Sequence, residues 1–419
     1  MSEARTKASL ARAASHALGQ AAAAQRSRAI AAAARLIRER RDSIVVANGH
    51  DMDRSRAAGM PGPLLDRLML DAGRLDGIAS SLEEIARQED PLGRVSWGRT
   101  LDSGVRVERI SVPMGVVAMI YEARPNVTAD AFGLCIRSGN ACVLKGGSAA
   151  RESCMALAAC CRDALVECGL PADAVQYVDD DAEHTQTSEL VHATGLIDVL
   201  IPRGGASLIR YCVENATVPV IETGTGNCHI YLHRDADAEK AVNIVVNAKC
   251  SRPGVCNAAE SLLVDACAAE KLLPPVLVAL HAHGVELVGD ELARKVAAAS
   301  QVPMEPATEG DWGREYLDLK MSVKCVEDVV QAIEHINRYG TGHSEAIVSD
   351  SYEACEAFLA GVDAAVVYAN ASTRFTDGGV FGLGGEIGIS TQKLHARGPM
   401  GASALTTTKY VVRGDGQIR

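Results

Sequence analysis

The feature that most constrains this fold is a rhythm of short apolar runs alternating with helical stretches, which starts at Gly115. GVVAMI (115–120), ACVLK (141–145), VQYV (175–178), IDVLI (197–201) and VPVI (218–221) are each brief, apolar and bounded by turn formers. One helical stretch begins at Val127 and stops at Gly139-Asn140; another covers 151–168. Runs apolar at every position suit strands buried on both faces, and strands alternating with helices build a parallel sheet covered by helices. Five such units in series predict one α/β domain.

A second series begins near His229. Its predicted helices span 236–248, 268–284, 326–338 and 352–360. Its predicted strands are SLLV (261–264), a run near Val285, EAIVS (345–349) and AAVVY (364–368). The 419 residues exceed what one core of ordinary size organises, so two parallel-sheet domains are expected. Ahead of them, 4–90 is rich in Ala, Leu and Arg and reads as helices broken at Gly59-Met-Pro-Gly-Pro63. Its basic, amphipathic start reads as a surface helix and not as a transit peptide. Two stretches have no sheet of their own in sequence order: a hairpin over 97–112 around Asp102-Ser103-Gly104, and the strand-like tail TTTKYVVR (406–413). A hairpin alone is marginally stable, so these strands are expected to pair with each other or with another subunit.

Charge and cysteine spacing exclude several functions. A formal net charge of -11 disfavours nucleic-acid and anionic-membrane partners, and no run of 18 apolar residues occurs. The 13 cysteines include no C-x-x-C pair, so neither a zinc nor a dithiol redox site is expected, and the thiols read as reduced and intracellular. His229 and His233 make an H-x-x-x-H, but it lacks a glutamate and lies in a strand-like run, so no metal is expected there.

Three stretches carry chemistry. NAKCSRPGVCNAAE (247–260) puts Cys250 and Cys256 in a polar, turn-rich segment beside Lys249 and Arg252. Cations raise the thiolate population, so either cysteine suits a nucleophile, and a buried structural cysteine suits the same pattern. In VIETGTGNCHI (220–230), Glu222 stands where a strand ends, as a general base or as a loop cap. The glycines after it lack the third one that a dinucleotide fingerprint needs. VLKGGSAA (143–150) and IPRGGASLI (201–209) both run from strand through Gly-Gly into helix. Backbone N–H groups at such helix starts favour anions, and Lys145 suits a ribose hydroxyl or a 2′-phosphate. Tight turns for close packing are the other reading of both motifs.

YEARPNVTAD (121–130), VLKGGSAA, IPRGG, IETGTGNCHIY and SRPGVCNA, in this order, resemble the aldehyde dehydrogenase superfamily. VEDVVQAIEHINRYGTGHSEAI (326–347) and STRFTDGGVFGLGGEIGIST (372–391) narrow the resemblance to the gamma-glutamyl phosphate reductase (glutamate-5-semialdehyde dehydrogenase) family. The resemblance spans essentially the whole chain. No amino-acid kinase segment precedes it, so a stand-alone reductase is expected.

The resemblance implies a cytoplasmic, NADPH-dependent enzyme of L-proline biosynthesis. It would reduce L-glutamyl 5-phosphate to L-glutamate 5-semialdehyde through a thioacyl-enzyme, as a homodimer or larger homo-oligomer. Cys256 matches the catalytic cysteine, and Asn126 the asparagine that forms an oxyanion hole with the Cys256 backbone N–H. Glu222, 34 positions before Cys256, matches the spacing of a glutamate in hydrolytic relatives, but its role stays open because water must not intercept the thioester. Cofactor contacts are implied for Lys145, Gly146, Ser148, Gly204, Gly205 and Glu315. The family leans to NADP, and the Gly-Gly-Ser turn after Lys145 holds no acidic residue that would repel a 2′-phosphate. Arg124, Arg252 and Arg374 suit phosphate or carboxylate, or else pair with loop carboxylates. Asp377 and Glu386 suit the ammonium group, although at least one is expected to stabilise its loop. The expected domains are 1–96 with 113–227 for the cofactor, 228–393 for catalysis, and 97–112 with 394–419 as oligomerisation strands. A CoA-dependent acylating aldehyde dehydrogenase and a non-catalytic binding protein of the same fold are the alternatives.

Overall fold

Side-chain caps open the first of the N-terminal helices, from Ser2, and the last, from Asp71. The Ser2 hydroxyl accepts from the Arg5 N–H and opens helix Glu3–Gln20, whose Ala4, Ala8, Ala11 and Leu18 form a buried stripe. Helices Ala23–Glu39, Arg41–Ala57, Gly62–Leu68 and Ala72–Arg87 follow; the break expected over Gly59–Pro63 falls at 58–61, since Gly62 and Pro63 already open the fourth helix. The computed structural model describes residues 2–179 and 184–419. The chain divides into two units, Met1–Thr223 with Gly382–Gly388 and Pro399–Arg419, and Gly224–Phe381 with Ile389–Gly398.

In the first unit, β1 (Val95–Thr100) and β2 (Arg106–Pro113) form the hairpin. Then come β3 (Val116–Tyr121), helix Asn126–Arg137, β4 (Ala141–Lys145), helix Arg151–Glu167, β5 (Val175–Tyr177), β6 (Val199–Arg203) and helix Ala206–Asn215. The sheet is parallel, in the order β5-β4-β3-β6. It holds four strands and not the five read from the sequence. VPVI makes only an isolated bridge, in which the Leu200 N–H donates to Pro219 O at 2.8 Å and the Ile221 N–H to Leu200 O at 2.9 Å. Pro219 has no N–H with which to extend a ladder.

In the second unit the strands are β7 (Cys228–Leu232), β8 (Ala259–Asp265), β9 (Glu286–Gly289), β10 (Glu305–Pro306), β11 (Lys320–Val326), β12 (Ser344–Val348) and β13 (Val366–Ala369). They form one parallel sheet in the order β10-β9-β11-β8-β7-β12-β13. Helices Ala238–Cys250, Ala269–Ala282 and Glu291–Ala299 supply a core with one face, and Val329–Tyr339 and Tyr352–Gly361 with the other. The interior strand β11 escaped the sequence reading because its pattern is not apolar throughout. Ser322 pairs with Ser261 of β8 at 2.7 Å, and Lys324 sits 4.9 Å over the Trp312 ring.

The tail strand Thr406–Arg413 pairs antiparallel with β2 over eight residues, giving the three-stranded sheet β1-β2-tail. Trp97 and Tyr410 make an edge contact at 6.5 Å, and both are exposed. Among the described residues no helix is long and apolar enough to cross a membrane.

Candidate active site

In the first unit, three loops leave the carboxyl ends of adjacent strands β4, β3 and β6, where open α/β sheets bind ligands. Glu122 lies in the middle loop. Its N–H donates to Arg203 O at 3.2 Å, and its carboxylate accepts from the Gly205 N–H at 3.0 Å. A Cβ on Gly204 would come 2.7 Å from the Glu122 carboxyl carbon, and one on Gly147 3.3 Å from its backbone. The two Gly-Gly turns therefore close on Glu122 from both sides. Lys145, buried, ends β4, and its charge reaches Cys212 on helix Ala206–Asn215. Gly146 follows it, and Ser148 starts a single helical turn that runs into Arg151–Glu167. This donor set, an ammonium with helix-start amides and no acidic residue in the Lys-Gly-Gly-Ser turn, fits a ribose-bearing polyanion such as a nicotinamide dinucleotide. Glu122 already engages one of those amides, a feature the sequence did not announce.

Asn126 opens the helix that follows β3, and its amide donates to Asp130 one turn on at 3.0 Å. Arg203, at the end of β6, pairs with Glu386 at 3.5 Å. Desolvation, with Glu386 adding to it, pushes the Asp130 carboxyl up to about 6, while Asn126 and Arg203 oppose the rise. Arg124 lies partly buried between Glu122 and Asn126. Glu222, partly buried, directly follows the bridge residue Ile221.

In the second unit, Cys256 lies partly buried in the turn between helix Ala238–Cys250 and β8. Its backbone is pinned from several directions. Gly226 lies so close that a Cβ there would fall 1.5 Å from the Cys256 carbonyl oxygen. The Cys228 thiol donates to the same oxygen at 3.2 Å, and burial pushes this thiol well above the ordinary range, which keeps it a donor. The Gly226 N–H in turn donates to Glu315 at 2.7 Å. Burial raises the Glu315 carboxyl, and its bond to Gly226 opposes the rise. The next residue, Asn257, donates to Thr376 O at 2.8 Å, and its own carbonyl accepts from the Thr373 hydroxyl at 2.7 Å.

The arginines sort by this geometry. Arg374 donates to the Asn257 side-chain oxygen and, at 3.1 Å, to Ser251. Burial lowers its pKa and neighbouring Arg252 adds to this, while Asp377, Cys256 and Cys228 oppose it. Arg252 itself is exposed. Asp377 accepts from the Gly379 N–H at 2.9 Å and the Val380 N–H at 3.2 Å, so it stabilises its loop. Cys250 is the last residue of its helix, and burial raises its thiol despite Lys249 beside it. Lys249 is fully buried and bound to Glu260 at 2.6 Å. His229 is bonded to Glu345 at 3.0 Å and His233 to Ser349 at 3.0 Å. No cluster able to hold a metal occurs among the described residues. Gly226, Cys228, Glu122 and Asp130 were missed by sequence reasoning. All four lie inside recognised motifs, Glu122 and Asp130 in YEARPNVTAD and Gly226 and Cys228 in IETGTGNCHIY, but nothing local marks their contacts.

The aldehyde dehydrogenase family matches residues 2–302. A gamma-glutamyl phosphate reductase of Clostridium beijerinckii is 50% identical over 421 residues and covers both chains completely. The solved gamma-glutamyl phosphate reductase of Thermotoga maritima superposes with a TM-score of 0.95 at 43% identity, again over the full length of both. An acetylating aldehyde dehydrogenase from Geobacillus thermoglucosidasius shares the fold, with a TM-score of 0.71 at 18% identity over 100% of this chain and 97% of that one. The chain belongs to the aldehyde dehydrogenase family, in its gamma-glutamyl phosphate reductase branch.

Proposed function

We propose that this chain catalyses the NADPH-dependent reduction of L-glutamyl 5-phosphate to L-glutamate 5-semialdehyde with release of phosphate. The observation that carries the reading is the full-length identity of 50% to a gamma-glutamyl phosphate reductase, over a chain whose cysteine turn is held rigid on its backbone. In this reading the Cys256 thiolate attacks the acyl phosphate, phosphate leaves, and a thioacyl-enzyme forms. The Asn126 amide and the Cys256 backbone N–H stabilise the oxyanion, each donor contributing on the order of 3 kcal/mol. The bound dinucleotide supplies the hydride. Lys145, Gly146, Ser148, Gly204 and Gly205 hold it through ribose and phosphate contacts, Glu315 through its second ribose, and the acid-free turn after Lys145 favours NADP over NAD. Arg252 and Arg374, the arginines beside Cys256, suit the leaving phosphate, two guanidiniums matching a dianion, and Arg124 is a further substrate-binding residue. Glu222 is a site residue that need not act as a hydrolytic base, because water must not intercept the thioester.

The domain assignment follows: 1–96 with 113–227 for cofactor, 228–393 for catalysis, and 97–112 with 394–419 for oligomerisation in a cytoplasmic enzyme. Exposed Trp97, Tyr410 and Val412 on the small sheet support a homo-oligomer. Sedimentation reporting a monomer would remove that part.

The direct test is Cys256→Ala, assayed by phosphate-dependent NADP reduction with the semialdehyde. Activity near wild type refutes the nucleophile. Cys250→Ala is expected to lose little, and a folded but inactive Cys250→Ala enzyme reverses the two roles. Equal turnover with CoA in place of phosphate would move the chain to the CoA-dependent reading.

A further inference from the structure

We propose that Asp130 is a positioning residue whose carboxylate fixes the Asn126 amide with an N–H directed at the reacting oxygen. The inference rests on the oxyanion role given to Asn126 above. The two residues lie four apart at the start of helix Asn126–Arg137, where i and i+4 side chains meet on one face. The Asn126 nitrogen donates one of its two hydrogens to Asp130 at 3.0 Å. An ionised carboxylate only accepts, so it holds the amide with its NH2 group, and not its carbonyl oxygen, toward Asp130. The second hydrogen stays available. Without this anchor the amide turns over and presents an acceptor, which repels an oxyanion.

The charged groups facing Asp130 are Arg203, from the end of β6, and Glu386, from segment 382–388. They pair with each other at 3.5 Å and so act on Asp130 in opposition. Its carboxyl, pushed up to about 6, is ionised at neutral pH and above. Once protonated it donates to the Asn126 carbonyl as readily as it accepts from the nitrogen, and the orientation is lost. Activity that depends on Asp130 therefore falls with acid through about pH 6. Burying this carboxylate disfavours the charged form, so its replacement by Asn does not lower thermal stability at pH 8.

The experiment compares Asp130→Asn, Asn126→Ala and the double variant in the full-length enzyme, with semialdehyde, phosphate and NADP. We expect Asn126→Ala to cost about 100-fold in kcat. Asp130→Asn should cost about tenfold in kcat, with KM for NADP and Tm unchanged. The double variant should be no slower than Asn126→Ala alone, because Asp130 acts through Asn126. The wild-type acidic limb near pH 6 should be missing in Asp130→Asn and kept in Asp130→Glu, which also serves if the Asn variant fails to fold. Wild-type kcat in Asp130→Asn beside a crippled Asn126→Ala overturns the inference and leaves the oxyanion role standing. A tenfold loss that persists in the Asn126→Ala background overturns it too, since Asp130 would then act on another group. Full activity in Asn126→Ala removes the oxyanion role itself.

Discussion

Gly226→Ala separates a nucleophile held by its backbone from one placed by its side-chain neighbours. The new Cβ would lie 1.5 Å from the Cys256 carbonyl oxygen, 2.4 Å from the carbonyl carbon and 2.7 Å from the Cα. Ordinary contact begins at 3.4 Å, so the two strands of backbone must part by about 1.9 Å, the difference 3.4 − 1.5. All three blocking atoms are backbone, so no rotamer change relieves the clash. Overpacking of this kind costs about 1–3 kcal/mol of stability. The catalytic loss is larger, because displacing a reacting group by ~1 Å costs on the order of 100-fold in rate. The movement also pulls on the Gly226 N–H bond to Glu315 and on the Cys228 thiol, both of which hold this turn. The assays are kcat for phosphate-dependent NADP reduction, thermal melting, and the rate of iodoacetamide labelling at Cys256 followed by peptide mass spectrometry. We expect kcat to fall about 100-fold or more in a protein that still folds, with a changed labelling rate. A Gly226→Ala enzyme with kcat within about twofold of wild type and unaltered labelling would refute the backbone argument.

Two further changes probe the second unit. Lys249→Met strands the buried Glu260 carboxylate and should cost about 3–5 kcal/mol by urea unfolding, while Lys249→Met/Glu260→Met should cost far less. Burial already pushes the Glu260 carboxyl up to about 7, so a raised folded pKa makes the single variant's loss greater at pH 8.5 than at pH 6; a loss independent of pH counts against this account. Burial lowers the His335 pKa to about 3, with His229, Lys324 and Arg338 adding to it. The unfolded chain therefore binds the proton first, and stability is lost as pH falls below about 6.5. Between pH 6.5 and 5 this histidine should account for about 1.5 kcal/mol, a slope that disappears in His335→Phe and is measured by urea unfolding at each pH. An unchanged slope in His335→Phe would assign the acid sensitivity elsewhere.

The architecture was legible wherever a strand keeps an unbroken apolar stretch: VVAMI in β3, CVL in β4, LLV in β8 and AIV in β12 stood out, although β4, β8 and β12 also bury Lys145, Glu260 and Glu345. β11 is equally interior but carries Ser322 and Lys324, whose polar atoms find a serine and an aromatic ring on neighbouring elements. Such pairings exist only between segments distant in sequence, so no local pattern displays them. VPVI failed in the opposite direction: its composition suits a strand, but Pro219 limits it to a single bridge. The site divides in the same way. Lys145, Gly204 and Cys256 belong to motifs that are continuous in sequence. Glu122 and Asp130 sit inside a recognised motif, YEARPNVTAD, yet their roles depend on partners at Gly205 and Asn126 that only folding defines.

The cationic support of the nucleophile shows how adjacency in sequence misleads. Lys249 stands next to Cys250 and seven residues before Cys256, which suggests that its charge favours thiolate at one of them. In the folded unit its ammonium is fully buried and bound to Glu260 at 2.6 Å, so most of its field is cancelled where it arises. Cys250, its immediate neighbour, keeps a raised thiol because burial outweighs that lysine. A cation that senses Cys256 is Arg374, over a hundred residues away in sequence, with Arg252 beside it. Their mutual repulsion is unfavourable without an anion, and a guanidinium cannot relieve it by releasing its proton. A phosphate dianion at this pair would relieve the repulsion, and its departure on forming the thioester would restore it. In the proposed reading, two arginines thus suit an acyl phosphate better than a single cation would.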